Sequence, residues 1–108
     1  MAREQLQNLT EPMYYILLVL TTPRHGYDIM QTIGEVTNNR VKVGAGTLYS
    51  LLSRFEKERI TVQVSDDGRR KTYSLTPKGR EILESEYRRL QRLIEEGSIF
   101  LKGNDNNE

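Results

Sequence analysis

The stretch GTLYSLLSRFEKERITVQVSDDGRRKTYSLTPKG, residues 46–79, changes its hydrophobic period twice. Leu48, Leu51, Leu52 and Phe55 recur at i, i+3, i+4 and i+7, the stripe of a helix facing a core. Thr47, Ser50, Arg54 and Lys57 fall on another face, which is polar and turns basic toward its end. After Lys57 the period drops to two. Ile60, Val62 and Val64 alternate with Thr61, Gln63 and Ser65, which predicts a half-buried strand with the aliphatic side chains covered. Asp67-Gly68 is a strong hairpin-turn dipeptide, and Tyr73 and Leu75 alternate with Thr72 and Ser74 on the return. Arg69-Arg70-Lys71 stands between turn and strand. Thr76 and Pro77 then have the residue types of an N-cap and a first helical position.

Working outward, the final helix carries Leu83, Tyr87, Leu90 and Ile94 at spacings of 4, 3 and 4, a heptad seam. Gly97 interrupts it and Leu101 resumes it. Residues 103–108 form a polar tail, read as disordered. Upstream, Gly44-Ala45-Gly46 leads into the helix that begins at Thr47. Val41 and Val43 predict a short extended piece. A helix from Gly26 to Val36 presents Tyr27, Met30 and Ile33 on one face, followed by the polar break Thr37-Asn38-Asn39. Before it, Met13, Ile16, Leu17, Val19 and Leu20 form a mostly buried helix, with Asn8 or Thr10 as its cap. Pro23 ends it. Residues 1–9 are polar and lack periodicity.

Composition narrows the function classes. The chain has 108 residues, 36% hydrophobic and 29% charged, a low apolar share for a monomer of this size. It has no cysteine and one histidine, His25, so a disulfide scaffold, a thiolate metal site and a cysteine nucleophile are out. No metal, cofactor or catalytic set is expected, and His25 reads as a helix-entry residue rather than a ligand. The longest apolar run, Met13 to Leu20, falls far short of the ~20 residues of a membrane span. The opening Met-Ala-Arg-Glu-Gln has no signal-peptide core, so the expectation is a cytoplasmic protein without a membrane partner.

The net charge of +1 hides an asymmetry. Residues 38–80 hold ten basic and four acidic side chains, a balance of +6, against −5 for the rest. Such clustering marks either a polyanion-binding face or an ordinary solvated surface. The order of elements favours the first. Three short helices, a two-stranded hairpin and a long helix make a mainly α fold: a winged helix-turn-helix with a C-terminal dimerisation helix. The expected division is a DNA-binding domain at 1–76, the dimerisation helix at 77–102 and the tail. An enzyme is excluded by the missing acid–base pair, nucleophile and phosphate loop. A winged helix that binds protein without DNA is the alternative class.

The residues expected on DNA are Lys42, Gly44, Gly46, Thr47, Tyr49, Ser50, Arg54, Arg69, Arg70 and Lys71. The glycines allow close backbone approach, and Thr47 and Ser50 are short enough to meet base edges. Tyr49 either reaches the DNA backbone or packs under its helix. Leu83, Tyr87, Leu90, Ile94 and Leu101 are the expected dimer interface. With no tryptophan, an effector pocket with aromatic stacking rests on Tyr14, Tyr15, Tyr87 or Phe100.

Four motifs resemble the PadR family of transcriptional regulators: Leu9-Thr-Glu-Pro-Met-Tyr-Tyr-Ile-Leu-Leu18, His25-Gly-Tyr-Asp-Ile29, Gly46-Thr-Leu-Tyr-Ser-Leu-Leu52 and Gly68-Arg-Arg-Lys-Thr-Tyr-Ser-Leu-Thr76 followed by Gly79. The resemblance implies a homodimeric winged-helix repressor on a palindromic double-stranded operator, released by a small-molecule effector. The single C-terminal helix is similar to that of the smaller subgroup, where it supplies dimer contacts. The chain departs from the family at Arg59, where the pattern has glycine at a C′ position that favours left-handed geometry; a strained or differently shaped helix end is expected there. Asp66 and Asp67 sit beside the wing tip, where they oppose phosphate binding.

Overall fold

The computed structural model describes residues 8–102, so residues 1–7 and the tail read as disordered at 103–108 lie outside the described residues. Four helices and a small antiparallel sheet follow in the order α1 (Glu11–Val19), β1 (Arg24–His25), α2 (Gly26–Val36), α3 (Ala45–Lys57), β2 (Thr61–Asp66), β3 (Lys71–Leu75) and α4 (Pro77–Leu101). The fold is mainly α and of the winged-helix type. The sheet has three strands, ordered β1-β3-β2, where two were expected. β1 is two residues long, pairing Arg24 with Tyr73 and His25 with Thr72, too short to leave a periodic signal.

α1 is capped by Thr10, whose Oγ1 accepts from Met13 N at 3.3 Å, rather than by Asn8. Its Ile16 and Leu17 and its C-cap Leu20 are fully buried in one cluster with Ile29 and Ile33 of α2 and Leu48, Leu52 and Phe55 of α3. The buried face of α2 therefore runs through Gly26, Ile29 and Ile33. Tyr27, expected on that face, is 68% exposed, because the buried stripe runs one position earlier, through Gly26 and Ile29. Val41 and Val43 are buried but form no strand.

Both helix ends that flank α3 in sequence close by the same device. After α2, Asn39 N–H donates to Gly34 O (2.7 Å) and Asn38 N–H to Glu35 O, with both asparagines left-handed. After α3, Ile60 N–H donates to Phe55 O (2.8 Å) and Arg59 N–H to Glu56 O (3.0 Å), with Arg59 at φ 63°. This is the Schellman arrangement, and the packed Phe55–Ile60 pair is its usual apolar contact. Arg59 thus takes the left-handed C′ conformation that the family pattern gives to glycine, and the helix end keeps the usual closure rather than a different shape.

That turn also resets the strand. Ile60 is buried before β2 begins, and Thr61 follows it inward. Val62 and Val64, expected inside, are 42% and 53% exposed. A bulge between Gln63 and Ser65 shifts the register again, so that Gln63 pairs with Tyr73 and Ser65 with Thr72. α4 starts as its sequence indicates, with Thr76 Oγ1 accepting from Gly79 N at 2.9 Å and Pro77 in the first turn.

Candidate nucleic-acid interface

α3 buries one side and presents the other. Leu48, Leu52 and Phe55 are inside, with Leu51 partly covered. Gly44, Ala45, Gly46, Thr47, Tyr49 and Ser50 are exposed. α3 begins at Ala45, two residues before the expected Thr47, with Gly44 as a cap that offers no side chain. A Cβ on Gly44 or Gly46 would meet nothing within 4 Å, so the protomer's own packing does not demand glycine there. Farther along, Lys57 is exposed, while Arg54 is half-buried with its guanidinium 3.8 Å from Glu58.

The wing supplies charge. Asp67 N–H donates to Arg70 O at 3.1 Å, which closes a loop over residues 67–70, and Gly68 takes φ 91°. Asp66 Oδ1 accepts from Gly68 N (2.9 Å); Asp67 Oδ1 accepts from Arg70 N (2.7 Å) and Arg69 N (3.1 Å). Those N–H groups, Arg70's first, hold the Asp67 carboxyl below the usual aspartate range. The two acids seen as opponents of phosphate therefore shape the loop. Arg69, Arg70 and Lys71 are exposed and pair with no carboxylate among the described residues.

A cleft of about 760 Å³ joins these parts, bringing Tyr49 of α3 opposite Arg69, Arg70 and Lys71. His25 and Tyr27 at the start of α2 form its third side. The Tyr49 ring is 47% exposed, and its hydroxyl lies where a Cβ on Gly26 would be. Tyr49 thus packs on the first turn of α2 and also opens to the cleft. Thr47, Ser50 and Arg54 do not line this cleft, and Lys42 lines a separate depression of about 680 Å³ with Asn38 and Asn39. Tyr27 stands between the two, a placement the sequence reading missed; the signal was the His25-Gly26-Tyr27 triplet at a helix start. His25 is the N-cap residue of α2, with Nδ1 3.2 Å from Thr72 Oγ1.

The expected dimer residues divide. Leu83 is 4% exposed and belongs to the protomer's own core, a correction to its place in the seam. Leu90 is half-buried, while Tyr87, Ile94 and Leu101 are 54%, 69% and 81% exposed. Among the described residues no group of three His, Asp or Glu is placed to hold a metal ion, and no helix is long and apolar enough to cross a membrane.

A family model described as "Transcriptional regulator PadR-like family" matches residues 16–85. A Lysinibacillus sphaericus protein named "Uncharacterized protein X" is 33% identical over 90 residues, which cover 80% of this chain and 83% of that protein. An uncharacterised 37.1 kDa protein in transposon TN4556 of Streptomyces fradiae is 38% identical over 78 residues, 72% of this chain; the match spans only 21% of that relative's length. Among solved structures, a PadR family transcriptional regulator from Eggerthella lenta superposes with a TM-score of 0.69 at 22% identity, covering 93% of this chain and 84% of that one. The transcriptional repressor CouR, solved on a 23-mer DNA duplex, gives 0.70 at 21% identity, covering 98% of this chain and 79% of its own. At these identities the structural likeness speaks for the fold.

Proposed function

Because the chain belongs to the PadR-like family of transcriptional regulators, which are not enzymes, we propose that it is a dimeric repressor, released from a palindromic operator by a small ligand. α3 enters the major groove with Gly44, Gly46, Thr47 and Ser50 toward the bases. Tyr49, Arg54, Lys42 and the wing residues Arg69, Arg70 and Lys71 hold the phosphates. Residues 1–76 are the DNA-binding unit, and α4 from Pro77 onward carries the dimer contacts Tyr87, Leu90, Ile94 and Leu101. The protein acts in the cytoplasm. Tyr14 and Tyr15, edge-to-face at 5.9 Å between centroids, offer an aromatic seat for the effector beside α4.

The observation that carries this reading is a convergence. The uncharged, short-chained start of α3 stands exposed beside three wing cations that pair with no carboxylate among the described residues, and the wing's own acids are turned into its backbone. The first part suits base edges and the second suits phosphates. Arg70→Ala should weaken binding to all duplexes about equally and reduce the salt slope by roughly one unit. Ser50→Leu should instead lower the ratio of affinities for a selected duplex and a scrambled one at the same salt. An unchanged ratio means Ser50 does not read sequence. Salt-independent retention of the wild type on DNA would leave the chain a protein-binding module.

A further inference from the structure

The end of α3 and the start of α4 are fastened by more than chain continuity. The last carbonyls of a helix lack internal partners. Here the C-cap carbonyl of α3 and the two carbonyls after it are taken up by Lys78 of α4 and by its N-cap residue Thr76. Lys78 Nζ donates to Glu58 O at 2.8 Å. Thr76 Oγ1 donates to Arg59 O at 2.6 Å and lies 3.1 Å from Ile60 O. Thr76 N–H donates to Ile60 O at 3.0 Å. The Lys78 charge also sits at the negative end of the α3 dipole. Gly79 completes the seat: a Cβ there would overlap the Ile60 carbonyl, so no other residue allows this approach without movement.

A second fastening lies further along α4. The Glu86 carboxylate, 3% exposed, accepts from Leu9 N at 3.3 Å, just ahead of α1. Arg89 grips the same carboxylate through Nε and Nη2 at 2.9 and 2.8 Å. Lys78 and Glu86 are eight residues apart, roughly 12 Å along a helix. Two fixed points define a line, so the direction of α4 is set relative to α3.

We propose that the α3–α4 joint selects the spacing of operator half-sites, with Lys78 and Thr76 as positioning residues that touch no DNA. This rests on the reading of the chain as a dimeric DNA reader. If α4 joins the two copies, its angle to α3 decides how far apart, and at what rotation, the two recognition helices stand. One added base pair rotates a half-site by about 35° and moves it by about 3.4 Å. A rigid joint rejects that error; a loose one absorbs it.

The test uses the full chain and a duplex selected by the wild type from a random-sequence pool. Two further duplexes carry one base pair more or fewer between the half-sites. The wild type should prefer the selected spacing by roughly tenfold or more. Lys78→Met and Thr76→Val should cut that preference by at least about threefold, while Lys78→Arg, which can still donate to Glu58 O, should retain it. A merely structural loss lowers the active fraction for all three duplexes and leaves the preference where it was. Sedimentation should show the variants still dimeric. Uniform weakening across the three duplexes by folded Lys78→Met would overturn the proposal and make Lys78 a phosphate contact. If the wild type selects no duplex with two half-sites, the dimeric-reader assignment itself fails, and the spacing proposal with it.

Discussion

From Pro77 to Glu86, α4 turns Gly79, Leu83 and Glu86 into its own protomer; from Tyr87 to Leu101 the same stripe looks outward. The apolar spacing runs from Leu83 through Tyr87, Leu90 and Ile94 and, past Gly97, to Leu101, but burial does not follow it. Leu83 is 4% exposed, whereas Ile94 is 69% and Leu101 81%. Only the first half is also fastened by polar groups, through Lys78, Thr76 and Glu86. One periodic pattern therefore serves two tasks, anchoring in the body and offering apolar surface beyond it. Periodicity reports that a face is covered, not by whom.

The sharpest way to break this division is to exchange the effects of its two halves. Leu83→Ala should cost about 3 kcal/mol of protomer stability, read as a lower urea midpoint at every protein concentration. Ile94→Glu should leave the unfolding of dilute protein almost untouched. It should raise the dimer dissociation constant by roughly a hundredfold, since a charge would then be buried unpaired. Sedimentation at several concentrations separates the two; a Leu83→Ala effect that vanished on dilution would place that residue in the interface after all. A gain of stability is expected at the seat of the anchored half. Arg59→Gly removes the cost of a left-handed arginine and should stabilise the fold by about 1 kcal/mol, checked by thermal melting.

The smallest effect is acid sensitivity confined to the anchored half. The Arg89 guanidinium holds the Glu86 carboxyl below the usual glutamate range, against the opposing pull of burial. A carboxylate with a lowered folded pKa contributes fully above its unfolded value of about 4.3. That contribution is lost as the pH falls through the lower folded value. Glu86→Gln should therefore flatten the acid limb of stability below about pH 4.3, measured by urea unfolding. An equally steep limb in the variant would assign the acid response to other carboxylates, such as Asp67 in the wing.

The helices were readable because each carries its burial in its own spacing. The cap and proline at Thr76-Pro77 are legible because local chemistry alone decides them, whereas the shape of the turn at Arg59, with arginine in place of glycine, is not. What failed were features set by a distant partner. β1 exists only because β3 passes beside Arg24 and His25. Tyr27 looked like core until the position of α1 was known. Val62 and Val64 changed sides because the turn at Arg59 delivers both Ile60 and Thr61 to the interior. Of the residues expected on DNA, the start of α3 and the basic wing are exposed. Their junction through Tyr49, Gly26 and His25 needed three elements brought together.

The bulge at Val64 has a consequence for the life of the protein in a crowded solution. β2 is an outer strand of the sheet and carries two exposed valines, the ingredients of strand-to-strand self-association. The irregularity between Gln63 and Ser65 leaves one residue without a cross-strand mate and adds local twist. An incoming flat strand then finds no regular ladder to extend. A bulge on an edge strand works against extension of the sheet by a neighbouring chain.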